Sequence, residues 1–368
     1  MSKHIVIDAR IRRASTGRPV DRLLNYLPKL DKTNNFTILV EPNDPITFSE
    51  KNFNTLPCPY KQFSLNPLQQ LTYAWQLNRL RPDLVFFTLT GQAPLLYSGK
   101  NITLTHDLTM LRYARAGRLP QWLHWIRMIG YRLLFWKGNR SASRIIVPSN
   151  FVADDLSRYM KSALEKISVI YESSEPPLTV KSEKIKVKRV ERPFIFHVGS
   201  PFPHKNIHAL VQAFELVKQK HPELQLVLAG KKEYYFEELE DWIKKRIYAS
   251  DIIIPGFISD AELKWLYENA EMYVLPSLSE GFGLPGLEAM AHGCPLASSN
   301  ATCLPEIYGN AAVYFDPSDQ LEMAKAIEAV LKSQKLRKEL ILRGKKQLKN
   351  YSWEKMSKEI ADLIISEL

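Results

Sequence analysis

Two carboxylates eight residues apart, Glu280 and Glu288, flank a turn in the stretch 272–295, MYVLPSLSEGFGLPGLEAMAHGCP. Gly281 and Gly283 let the backbone come close to an anion. A helix opening near Pro285 offers free N–H groups and the positive end of its dipole. Glu288, early in that helix, is placed to accept hydrogen bonds from two neighbouring ribose hydroxyls. Glu280, on the loop, is placed for sugar hydroxyls beyond the phosphates. The set suits a nucleoside diphosphate-sugar. Two plainer readings compete. Gly281–Gly286 also spells G-x-G-x-x-G, the dinucleotide fingerprint, but that motif normally follows the first strand of its domain and this one follows a late strand. A capped helix with two solvated carboxylates is the purely structural alternative.

A second group of polar residues ends another apolar run. His197-Val198-Gly199-Ser200 leads into Pro201-Phe202-Pro203-His204-Lys205-Asn206 and then a helix. A turn after the first strand of an α/β domain faces the ligand crevice. Lys205 there could set its ammonium against diphosphate oxygens and offset charge on a leaving group. In the first half, His106-Asp107 follows the strand-like Asn101–Thr105, where an imidazole can hydrogen-bond a sugar hydroxyl. A lone His is more often a satisfied polar residue, and a helix-start Lys is often merely solvated.

These residues need parallel strands and helices to hold them, and the sequence supplies both. Strand-like runs are His4–Asp8, Phe36–Val40, Leu84–Leu89, Ile102–Thr105, Arg144–Pro148 and Ile167–Tyr171, with helical patterns at Val20–Leu30, Leu68–Arg79, Pro120–Lys137 and Asn150–Tyr159. The alternation implies parallel sheets. The pattern restarts at Pro193, with strands Phe194–Val198, Leu224–Leu228, Ile252–Pro255, Met272–Leu275, Pro295–Ser298 and Ala312–Phe315. Helices are expected at Ile207–Lys220, Phe236–Tyr248, Asp260–Asn269, Gly286–His292 and Leu321–Ser333. The expected partition is a first domain over 1–172, a Pro-, Lys- and Glu-rich linker over 173–192, a second domain over 193–348 and a closing helix over 349–368. The fold class is α/β: two doubly wound, Rossmann-like domains facing a cleft.

At 368 residues the chain exceeds one ordinary core,. The three cysteines Cys58, Cys294 and Cys303 are few, odd in number and lack metal-ligand spacing, which favours a reducing compartment over a disulfide framework or zinc site,. The start MSKHIVIDAR reads as a first strand, not a signal peptide, and no run of 18 uncharged apolar residues spans a membrane,. Net charge is +11. There is no Asp or Glu between Asp107 and Asp154, where Arg112, Arg115, Arg118, Arg127, Arg132, Lys137, Arg140 and Arg144 alternate with Trp122, Trp125, Ile126, Ile129, Leu133, Leu134, Phe135 and Trp136. A basic, aromatic helix of this kind can lie on an anionic membrane face; alternatively its aromatics are buried core. No nucleic-acid motif accompanies the charge, so nucleic acid is not an expected partner.

Glu280, Gly281-Phe282-Gly283, Glu288, Ala289-Met290 and Gly293-Cys294-Pro295 together closely resemble the signature of retaining glycosyltransferases of family four, which have the two-domain GT-B fold. Cys294 stands where the family often has a small apolar residue. The resemblance runs over essentially the whole chain and is strongest from Pro193 to Pro317. It implies catalytic roles for His106, Lys205 and Glu280, and donor contacts from Gly17, Ser200, His204, Gly281, Phe282, Gly283, Leu284 and Glu288. The nucleobase would be held by the backbone of Gly256, Phe257 and Ile258. Lys205 and Asn206 match the family loop, whereas His204 and Ser200 stand where relatives often carry Arg. Ser15-Thr16-Gly17-Arg18 is similar to the family's glycine-bearing loop after the first strand, and Ser149-Asn150-Phe151 to its helix start, an N-cap. Asn300 through Glu306 resembles the tail of the motif. The final helix would cross back to the first domain.

The implied activity is transfer of a hexose, mannose being common in the family, from a nucleoside diphosphate-sugar to a glycan or lipid-linked glycan, with retention, in cell-surface polysaccharide synthesis. No Asp-x-Asp motif is present, so neither metal nor cofactor is expected beyond the sugar nucleotide as co-substrate. With no evident carboxylate nucleophile, a front-face displacement is expected. The expected location is cytoplasmic, peripheral on the inner face of the plasma membrane. A sugar-nucleotide epimerase, or a binding protein without turnover, are the alternatives.

Overall fold

The computed structural model describes residues 2–114, 117–175 and 187–368, the side chain of Ser15 excepted. Arg115 and most of the expected linker lie outside the described residues. Two compact units divide the chain: one holds Met1–Arg112, Leu119–Glu172 and Ser352–Leu368, the other Tyr113–Arg118 and Ser173–Tyr351. The short stretch Tyr113–Arg118 thus sits in the second unit, although the sequence pattern assigns it to the first domain. There the Gly117 amide donates to the Tyr235 hydroxyl (3.0 Å), and Arg118 pairs with Glu237.

The first unit is built on seven parallel strands: β1 (His4–Asp8), β2 (Asn35–Val40), β3 (Phe53–Pro57), β4 (Leu84–Phe87), β5 (Asn101–Leu104), β6 (Arg144–Val147) and β7 (Ile167–Val169). Their order is β3-β2-β1-β4-β5-β6-β7. Residues of β1, β4 and β5 are buried almost throughout, as parallel strands covered on both faces must be,. β3 is missing from the sequence reading. It is an edge strand, FNTLP, of mostly exposed residues ending at Pro57, so it has no apolar run to find,. Just past β1, Arg10 forks onto the buried Asp8 carboxylate and donates to the Tyr60 carbonyl (2.5 Å), while Tyr73 donates to Asp8 (2.7 Å). That network ties the 58–73 segment to the carboxyl end of β1.

The second unit has six parallel strands: β8 (Phe194–Val198), β9 (Gln225–Ala229), β10 (Ile252–Gly256), β11 (Met272–Leu275), β12 (Leu296–Ser299) and β13 (Ala312–Phe315). They run in the order β10-β9-β8-β11-β12-β13. The order reverses between β8 and β11, so their carboxyl ends flank the crevice where open α/β sheets take ligands. Its core joins the helices Ile207–Lys218 and Gln320–Lys332 to the sheet through Phe214, Val217, Ile327 and Val330. The closing stretch forms Gln334–Gln347 and Trp353–Ser366, broken at 348–352; the last helix packs on Arg18–Leu30 in the first unit.

Candidate active site

β8 ends at Val198, and the chain turns through Gly199 and a short helical turn, Pro203–Lys205, before the helix Ile207–Lys218. Asn206 makes that turn possible. It adopts a left-handed conformation (φ 57°), and its side-chain amide donates to the carbonyls of Pro276 (3.1 Å) and Pro317 (2.7 Å). The loop after β8 is thereby fastened to the loop after β11. Lys205, one residue earlier, donates its ammonium to Glu280 Oε1 at 2.7 Å. The Ser277 hydroxyl donates to the same oxygen (2.6 Å), the Glu280 amide donates to Thr302 Oγ1 (3.2 Å) and Cys303 Sγ donates to the Glu280 carbonyl (3.3 Å). Burial pushes the Glu280 carboxyl up, but the Lys205 charge and the Lys205 and Ser277 hydrogen bonds outweigh it and hold the group below its usual range. Two of the three residues expected to carry chemistry, Lys205 and Glu280, are therefore a single ion pair across the β8–β11 switch point.

The turn after β11 is anchored from behind. Gly283 has φ +89° and precedes the helix Leu284–Ala291, which starts slightly earlier than the sequence indicates. A Cβ on Gly283 or Gly286 would strike the ring or hydroxyl of Tyr308, and that hydroxyl donates to the Gly283 carbonyl. These two glycines thus serve close packing. The dinucleotide reading fails on topology as well, since β11 is the fourth strand of its sheet in sequence. Pro285 contributes no N–H, and the Gly286 amide donates to Gly283 (3.2 Å), so fewer first-turn amides are on offer than a full helix start provides,. Phe282 is buried edge-on against Tyr351 (5.5 Å), which leaves only its backbone for a ligand. Glu288, fifth in the helix and buried, accepts from the Tyr267 hydroxyl at 3.2 Å.

His204 is buried and stacked on Phe202 (6.0 Å), and its ring centroid lies 6.4 Å from that of Tyr113, so a packed ring occupies this position of the loop. The Ser200 carbonyl accepts the Phe202 amide (2.8 Å) and shapes the loop. At the end of β10, Gly256 takes φ +83° and its carbonyl accepts the Gly230 amide (3.0 Å). Ile258 is half-buried, and Phe257 stands 80% exposed.

One residue escaped the list of expected contacts. His197 is buried in β8, stacked on Tyr273 (5.7 Å), with Nδ1 against the Val274 carbonyl (2.9 Å). Nδ1 must then carry the proton, and burial lowers the pKa to about 4, so Nε2 presents a lone pair,. Among the described residues that nitrogen has no hydrogen-bond partner. Its place two residues before Gly199 was the available sequence signal. An apolar strand context, FIFHV, masked it.

In the first unit, His106 lies past β5. Nε2 meets the Thr88 carbonyl (3.2 Å) and Nδ1 faces the Glu172 carboxylate (3.5 Å). Both neighbours are acceptors, which calls for an imidazolium. Burial lowers its pKa, but Glu172 and then Asp107 outweigh this and raise it. Gly17 is buried where a Cβ would meet the Ile11 carbonyl, directly before the helix Arg18–Leu30. No group of three or more His, Cys, Asp or Glu able to hold a metal occurs among the described residues.

A family model described as "Glycosyl transferases group 1" matches residues 180–347, and one described as "Glycosyltransferase Family 4" matches 18–173. Together they take in most of the chain, which belongs to the group 1 glycosyltransferases and has the GT-B fold. Among curated proteins it is 34% identical to O-antigen chain mannosyltransferase B of Escherichia coli over 165 residues, 44% of this chain and 42% of that protein. It is 29% identical to O-antigen chain mannosyltransferase RfbU of Salmonella typhimurium over 238 residues, 64% of this chain and 62% of that protein. Less than two thirds of either relative's length is spanned. The structure superposes on Anabaena HepE in complex with UDP and glucose with a TM-score of 0.75 at 16% identity, all of both chains being covered. WaaG, a glycosyltransferase of lipopolysaccharide biosynthesis, gives 0.71 at 16% identity over 98% of this chain and 99% of that one.

Proposed function

We propose that this protein transfers a hexose, with mannose as the first candidate, from a nucleoside diphosphate-sugar to a glycan or lipid-linked glycan in cell-surface polysaccharide synthesis. The Lys205–Glu280 pair at the β8–β11 switch point carries this reading. A cation anchored by Asn206 stands beside a helix start, where a departing diphosphate needs positive charge. The mannosyltransferase relatives suggest the sugar and the glycan acceptor. Retention, independence from metal and a front-face displacement belong to the same proposal. So does residence at the cytoplasmic face of the membrane; no described helix is long and apolar enough to cross it.

The test is nucleoside diphosphate release from a panel of sugar nucleotides, with and without acceptors, followed by the anomeric configuration of the product. Lys205→Ala is expected to lower kcat by roughly a hundredfold or more, as losing a charge partner of the transition state does. Near-normal turnover of that variant at saturating donor would refute the role. Release that needs no acceptor would indicate hydrolysis instead, and donor consumed without acceptor and without net release would indicate epimerisation.

A further inference from the structure

The helix Gln121–Ser141 is apolar on two opposite faces, and only one of them is covered. Met128, Leu134 and Phe135 are buried against the first unit. Trp122, Trp125, Ile126, Ile129, Leu133 and Trp136 recur at three- and four-residue spacing, so they form one stripe along the helix,. Each is between 46% and 66% exposed. A second apolar face left uncovered calls for a partner, and a patch holding three exposed tryptophans marks an interaction site.

A second helix extends the patch. In Pro67–Leu80, Leu68, Leu71 and Trp75 fall on one exposed stripe. The inner face of that helix packs Tyr73, Ala74 and Leu77 on Val85 and Phe87 of the sheet, and Phe135 packs with Ile145 and Val147. Phe87, Thr103 and Ile145 are register neighbours, so both helices cover the same sheet face. The turn entering the shorter helix rests on the longer one: the rings of Phe63 and Tyr131 are 5.6 Å apart, and Leu65 fills the space above Gly130.

Charge decides what covers this face. Neither helix contains an Asp or Glu. Arg132 flanks the long stripe, Arg140 continues it, and Arg79 lies over the Trp75 ring (5.2 Å). Amphipathic tryptophans bordered by exposed cations match the boundary between acyl chains and anionic headgroups. We propose that this two-helix face docks the protein on an anionic bilayer, with the tryptophans at headgroup depth and the arginines on lipid phosphates. The proposal sharpens the peripheral location in the proposed function and rests on that reading only for the choice of leaflet.

The experiment is flotation of the full chain with vesicles of phosphatidylcholine alone and of phosphatidylcholine with 30 mol% phosphatidylglycerol (roughly the anionic content that gives a negative surface potential). Association with the anionic vesicles is expected, together with a blue shift of tryptophan emission and weakening as salt rises. A double variant, Trp125→Ser with Ile129→Ser, is expected to weaken binding by roughly tenfold. Both side chains already face water, so thermal stability and nucleoside diphosphate affinity should stay unchanged. No association, equal association with both vesicle types, or a double variant that binds as before each overturns the proposal. So does a solution dimer that the double variant dissociates, because a second copy then covers the face. A protein that floats with anionic vesicles yet transfers no sugar sinks the transferase reading alone.

Discussion

Lys205 and Glu280 neutralise each other at 2.7 Å, and this has a consequence for anion binding. A diphosphate arriving at Lys205 competes with a carboxylate that is already seated and further held by Ser277. Glu280→Gln keeps the shape and removes the competing charge. It is expected to tighten nucleoside diphosphate binding by roughly tenfold while lowering turnover. Titration calorimetry measures the first effect, and an affinity that is unchanged or weaker shows that the pair does not restrain Lys205. His197 gives a pH prediction. Its folded-state pKa, about 4, lies below the ordinary value near 6.5, so its contribution is complete above pH ~6.5 and is lost as pH falls toward 4,. Full loss amounts to something on the order of 3 kcal/mol. His197→Asn should flatten the decline of the urea midpoint between pH 7 and pH 4.5. A decline as steep as in the parent protein would place the acid lability elsewhere.

Among elements, the turn into Leu284–Ala291 is held by backbone geometry and one aromatic ring. Gly283→Ala puts a Cβ at φ +89° and against Tyr308. The left-handed conformation alone costs about 1–2 kcal/mol, and displacing the ring adds to it. Chemical denaturation should show a loss of about 2 kcal/mol or more, with donor affinity reduced because the turn carries Glu280. A loss under 0.5 kcal/mol would mean that the turn relaxes freely. Sequence legibility follows the same division. β1, β8 and β11 were readable to the residue because buried parallel strands are continuous apolar runs, and the edge strand β13 was readable because AVYF is apolar throughout,. β3 was not, because its FNTLP holds no apolar run. The residue types at 205, 280 and 288 were readable from spacing, but what each one touches was not. Lys205 meets Glu280 across 75 positions and His106 meets Glu172 across 66, and no local pattern encodes such pairs. The exposed stripe of Gln121–Ser141 was ambiguous for a related reason. A helix apolar on both faces has almost no amphipathic signal, so only the fold shows which tryptophans the core leaves outside.

Over the whole molecule, the chain distributes its last helix and its candidate anion site to different compact units. Trp353–Ser366 buries Trp353, Met356, Ile360 and Ile364, and it packs on Arg18–Leu30, whose Leu23, Leu24 and Leu27 are also buried. Lys205, Glu280 and Glu288 all lie in the other unit. Removing residues 353–368 would therefore strip an apolar face from the first unit and leave every contact around the Lys205–Glu280 pair intact. Uncovering several large side chains at about 1.5–3 kcal/mol each consumes much of a domain's total stability. The truncated protein is expected to lose an early thermal transition, or show it shifted down by 10 °C or more, while a second transition persists near its original temperature. Nucleoside diphosphate should still raise that second transition, since a ligand stabilises the unit that holds its site. Transfer to an acceptor should fall sharply. If truncation abolished the ligand-induced shift together with the early transition, the two units would not be energetically separable. The anion site would then depend on the first unit in a way that the bonds around Lys205 and Glu280 do not require.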